Sequence, residues 1–241
     1  MVEAVGARPA VRAPAPHPRA LRALAAIVAK DLRLEFRRVE GLATVALFAL
    51  LVAVLFVFAG DPTPGDLRRL GPGALWIALL FAGALGFVRW FAQEERNDAL
   101  QGLLLAPVDP TVLFVAKWAG ASLFLLAIEV VLVPATLTMY GLAPGSAWGW
   151  LALLIVLVTM GYAALGTFFA AVAARTTAGE LLLPILLFPL SVPLILAGAE
   201  GTQALFTGDR AGYADWLGLA AAFDLLFGTI CALAFEHVIE E

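Results

Sequence analysis

The chain has 241 residues, 62% hydrophobic and 14% charged, with a formal net charge of −4. A soluble domain of this size carries about 45–50% apolar and about 25% charged residues. The excess lies in long blocks, which excludes an ordinary soluble domain and points to a membrane protein. The single cysteine, Cys231, excludes an intrachain disulfide and a cysteine-based metal cluster, and reads as a small buried hydrophobe.

Residues 1–20 are rich in Pro and Arg. Prolines in VRAPAPHPRA remove backbone donors and resist helix, so a disordered tail is predicted, with His17 solvated. No short apolar core followed by a small-residue cleavage site marks a cleavable signal peptide. Residues 21–40 change character. In ALRALAAIVAKDLRLEFRR, Leu24, Val28, Leu32 and Phe36 recur every four positions, beside Leu21 and Ile27. Lys30, Asp31, Arg33, Glu35, Arg37 and Arg38 take much of the remaining surface. This is the pattern of an amphipathic interfacial helix, apolar face to lipid and basic face to headgroups. Simple anchoring explains it as well as a coupling role does.

Residues 41–241 read as a six-span transmembrane domain, all-α and polytopic. A spanning helix needs about 20 mostly apolar residues, and runs near 42–59, 73–91, 112–138, 148–173, 181–199 and 216–238 meet that demand. The outer loops are predicted near 60–72, 139–147 and 200–215. Six spans put both termini on one side. Of the fifteen Lys and Arg residues, only Arg68, Arg69 and Arg210 fall on the other side. The positively charged side faces the cytoplasm, so both termini are predicted inside.

Between the second and third spans, on that cytoplasmic side, runs RWFAQEERNDALQGLLLAPVDP, residues 89–110. A loop at about 92–111 is predicted to hold a short helix, with Leu100, Leu103 and Leu104 on one face. Glu94, Glu95 and Asp98 would lie at its start, where the helix dipole favours negative charge. Pro107 and Pro110 would stop it. A lipid-lying helix prefers basic residues on its polar side. Here acids outnumber bases, so the ridge is read as a docking surface for a soluble partner.

Within the spans, Glu129 and Asp224 are candidates for function, because carboxylates at such depth cost several kcal/mol unless protonated or paired. The alternative is a carboxyl that simply bonds a neighbouring helix. Pro134, Pro184, Pro189 and Pro193 predict kinks in the third and fifth spans. The WGW at Trp148 to Trp150 reads as interface aromatics, and His237 as an interfacial residue at a helix C-terminus. No P-loop, HExxH or GxSxG motif occurs. The chain is therefore predicted not to be an enzyme, and any energy would come from a partner.

The loop pattern E-E-x-x-x-A-L-x-G-L-L-L-A-P-V-D resembles CcmB, the haem-exporter permease family of cytochrome c maturation. AKDLRLEFRR, LGPGALWIALLFAGALGF, FVAKW and AAFDLLFGTICALAFEHVIEE carry the resemblance further, over about 22–241. It implies an ABC-2 exporter-like fold in a bacterial inner membrane. A separate CcmA-like ATPase would dock on the loop at Glu94, Glu95, Asp98, Leu100, Leu103 and Leu104. CcmC-like and CcmD-like haem-handling proteins and a periplasmic CcmE-like chaperone would be further partners, with a permease homodimer possible. ATP would be bound by the ATPase subunit, and haem would be the cargo of the complex; no cofactor is expected on this chain, and no nucleic-acid partner. The tryptophan-rich WGxxWxWD haem motif of CcmC is absent. An ABC-2 exporter of another cargo, such as a lipid, drug or polysaccharide, and a non-transporting membrane scaffold remain the alternatives.

Overall fold

In hydrocarbon a backbone has no partner but itself, so long apolar runs fold as helices. The computed structural model describes residues 24–30, 32–33, 39–59, 63–96, 109–174, 176 and 179–240. Six long helices follow one another: α1 (Val39–Phe58), α2 (Pro64–Arg96), α3 (Pro110–Met139), α4 (Trp148–Ala173), α5 (Gly179–Thr207) and α6 (Arg210–Glu240). Each is long and apolar enough to cross a membrane, and no strand occurs among the described residues. The chain is a polytopic all-α membrane protein, as predicted.

The outer connections are shorter than the sequence suggested. Low hydropathy predicts a loop over residues 60–72, but α2 already begins at Pro64. A reciprocal cap starts it: Asp66 N donates to Thr63 Oγ1 at 3.3 Å, and Thr63 N donates to Asp66 Oδ2 at 3.1 Å. Proline at the first helical position fits, because its missing N–H would have no helical partner there. A loop is predicted over residues 200–215 as well, yet α5 reaches Thr207 and α6 starts at Arg210. Gly208 takes the left-handed conformation (φ 79°) that closes α5. Asp209 then accepts from Gly212 N at 3.0 Å and caps α6. Low hydropathy hid both helix starts, whereas the capping residues announced them.

The core forms around α4, which packs against α2, α3, α5 and α6. Residues 161–167 of α4 are buried without a gap, the mark of a helix enclosed on every side. Small residues let neighbours approach closely. A Cβ at Gly166 would overlap the Phe87 ring of α2, so glycine is what brings these two helices together there. Tyr162 OH donates to Leu80 O of α2 at 2.5 Å. Trp76 Nε1 donates to Thr202 Oγ1 of α5 at 3.0 Å, and that hydroxyl donates to Gly198 O at 2.6 Å. The buried Tyr162, Trp76 and Thr202 side chains thus gain partners where no water could supply them.

α1 and α6 lie at the edges. On α1, Leu47, Leu51, Leu55 and Phe58 form an exposed stripe, as do Leu225, Leu226, Ile230 and Leu233 on α6. Tyr140 OH, donating to Ala53 O at 2.7 Å, fastens α1 to the turn after α3. Pro134, Pro184, Pro189 and Pro193 lie inside α3 and α5, as Pro72 does in α2, and the helices run on through them. Residues 24–30 and 32–33 are helical. Their apolar side turns in part against the bundle rather than wholly to lipid: Ile27 is buried, with Leu24 and Val28 packed on the core. Phe36 and the basic pair that follows lie outside the described residues.

Candidate functional site

Two carboxyl groups reach the middle of the bundle, and both meet α4. Glu129 of α3 is 4% exposed. Thr159 Oγ1 stands 2.8 Å from its Oε1 and 3.0 Å from its Oε2. A hydroxyl has one proton, so the pair makes one hydrogen bond shared between two acceptors. Nearby, Trp118 Nε1 donates to Met160 O at 2.8 Å, a second polar tie between α3 and α4. Ser122 Oγ donates back to Trp118 O at 2.8 Å within α3.

Asp224 of α6 arrives differently. Its Oδ1 is enclosed and has no hydrogen-bond partner among the described residues. The space it occupies exists because position 161 is glycine. A Cβ there would collide with Asp224 Oδ1 and would lie 2.9 Å from Leu194 Cδ2 of α5. Thr159 and Gly161 are two residues apart, about 200° around the helix. The two carboxyls therefore enter one layer of α4 from opposite faces. They do not form a pair, and α4 separates them.

Neither Thr159 nor Gly161 was singled out in the sequence. The available signal was TMG inside an apolar run: a hydroxyl and a glycine two positions apart, each able to receive a polar group. Cys231 is buried and free, as predicted. Trp148 and Trp150 are exposed at the start of α4, and His237 is exposed in the last turn of α6. Among the described residues no cluster of three His, Cys, Asp or Glu could hold a metal.

At the end of the bundle that carries both termini, α2 continues through Glu94 and Glu95 to Arg96. These two acids thus end a transmembrane helix, whereas the sequence reading put them at the start of a separate one. The reason is local: Ala92, Gln93, Glu94, Glu95 and Arg96 are good helix formers, and nothing before Asn97 breaks the run. Asp98, Leu100, Leu103 and Leu104 lie outside the described residues.

The model of the family described as CcmB protein matches residues 22–241. Heme exporter protein B of Paracoccus denitrificans is 34% identical over 178 residues, covering 74% of this chain and 81% of that protein. Heme exporter protein B of Bradyrhizobium diazoefficiens is 31% identical over 223 residues, covering 91% and 93%. The protein of that name from Pseudomonas aeruginosa is 31% identical over 200 residues, covering 83% and 89%. With the family match extending from the interfacial segment to the last residue of the chain, the protein belongs to the CcmB family.

Proposed function

We propose that this chain is the membrane permease subunit of an ABC exporter serving haem delivery in cytochrome c maturation. The observation that carries the reading is the family match over 22–241, taken with relatives named Heme exporter protein B. Both termini and the 92–111 loop face the cytoplasm, following the lysine and arginine asymmetry. A CcmA-like ATPase docks on that loop, with Leu100, Leu103 and Leu104 supplying apolar contact and Glu94, Glu95 and Asp98 orienting it. CcmC-like and CcmD-like proteins share the bacterial inner membrane with it. A CcmE-like chaperone receives haem on the periplasmic side.

The shape of α2 supports the coupling step. Its 33 residues make a helix about 50 Å long, well beyond the roughly 30 Å of hydrocarbon. Displacement of the ATPase at the Glu94–Glu95 end would tilt α2 as a lever. Trp76 and Phe87 would carry that motion to α5 and α4, whose packing the carboxyls of Glu129 and Asp224 share.

The double substitution Leu103→Asp and Leu104→Asp is expected to release the ATPase while the permease still inserts in the membrane. In cells it should fail to restore c-type cytochromes to a strain lacking the gene, with b-type cytochromes unchanged. Stoichiometric co-purification of the ATPase with the double mutant would refute the docking surface. Normal c-type cytochromes in the deletion strain would refute the maturation role and leave an exporter of another cargo.

A further inference from the structure

At the end of the bundle away from the termini, a cavity of about 620 Å³ opens between the turn before α4 and the α5–α6 corner. Its size falls in the range of small-ligand sites, roughly 300–1,000 Å³. No residue in its lining was singled out for a ligand by the sequence, and the coupling mechanism does not use it.

The walls divide by chemistry. Leu205, Leu217 and Ala204 supply an aliphatic lining and the Trp150 ring an aromatic one, while the exposed Ser146 and Arg210 supply polar groups. Trp150 and Tyr213 meet edge to face, ring centroids 6.0 Å apart at 74°. Tyr213 OH is already spent as a donor to Trp150 O at 2.7 Å, which fixes the aromatic wall. Asp209 lines the cavity as well, but its Oδ1 is engaged by Gly212 N in the cap of α6. Arg210 is exposed and makes no ion pair or side-chain hydrogen bond with any described residue. Trp148 and Trp150, both exposed, mark the interfacial level at which the cavity sits.

An exposed cation, an aromatic wall and an aliphatic lining define the complement of an amphiphile. We propose that this cavity binds an anionic amphiphile, its carboxylate or phosphate on Arg210 and its apolar body against Trp150, Leu205 and Leu217. A guanidinium grips either acid by paired donors, and the rigid aromatic wall suits a flat or extended apolar body. The acid could belong to a porphyrin or to a membrane lipid. The lining contains no His, Cys or Met, so recognition rests on the acid and the apolar body rather than on a bound metal.

The test uses the full chain in phosphatidylcholine nanodiscs. Iron-free protoporphyrin IX is titrated and read by tryptophan quenching; phosphatidylglycerol is titrated in the same way and its bound copies are counted by native mass spectrometry. Saturable binding of either probe is expected, weakened about tenfold by Arg210→Gln and in large part preserved in Arg210→Lys. Whichever probe binds identifies the source of the acid. Arg68→Gln serves as the control, because Arg68 is an exposed arginine near Gly141 at the same end but outside the cavity. It should leave both titrations unchanged. The proposal is overturned if neither probe saturates, or if Arg68→Gln weakens binding as much as Arg210→Gln does.

Discussion

Replacing Thr159 with Val removes the hydroxyl that serves Glu129 while keeping the shape of the side chain. Both residues are buried, and the donor stands 2.8 and 3.0 Å from the carboxyl oxygens. In water-soluble proteins one such bond contributes about 0.5–1.5 kcal/mol, and an orphaned buried acceptor costs about 1–3 kcal/mol. Within bilayers measured couplings average about 0.6 kcal/mol and reach about 1.7. The membrane figures govern here, and because Glu129 has no second side-chain partner among the described residues the loss falls toward their upper end, about 1–1.7 kcal/mol. Glu129→Leu should cost less, because Thr159 can turn its hydroxyl back to a carbonyl of its own helix. The double mutant should then be more stable than the sum of the singles by about 1 kcal/mol, a direct reading of the contact. Reversible unfolding in mixed micelles, followed by far-UV circular dichroism, measures all four corners of the cycle. A coupling below about 0.3 kcal/mol would refute the assignment of this contact as a tie between α3 and α4.

Two further outcomes follow from local geometry. Gly161→Ala should destabilise the bundle by about 1–3 kcal/mol through overpacking. Adding Asp224→Ala should recover most of that loss, because the carboxylate is what the new methyl meets; a neutral Gly161→Ala would show that Asp224 does not insert there. Thr63→Ala should remove the hydroxyl arm of the cap at the start of α2, leaving only the backbone bond from position 63 to Asp66, and cost about 1 kcal/mol. Hydrogen exchange of the first turn after Pro64 should speed up while that around Trp76 stays slow, and unchanged exchange at the first turn would count against the cap.

What the sequence determined by itself was local in origin. Six apolar runs of spanning length meant six helices, because hydrocarbon offers a backbone nothing else to bond. Capping chemistry at Thr63–Asp66 and Gly208–Asp209 was also present in the sequence. Hydropathy obscured it: charged, glycine-bearing stretches such as GDLRRLGPG read as loop although they continue a helix. Glu129 and Asp224 could be marked as costly from depth alone.

Their surroundings could not be read that way. Thirty residues separate Glu129 from Thr159, and the segment from Gly161 to Asp224 includes all of α5. Such meetings depend on how helices rotate and cross, and in a bilayer that is decided by close packing at small residues rather than by hydrophobicity, which every face shares. Gly166 against Phe87 and Gly161 against Asp224 are pairings of this kind. Only the folded bundle placed α4 at the centre, with the two carboxyls held apart on its opposite faces, because that arrangement depends on how whole helices pack rather than on any one stretch of chain.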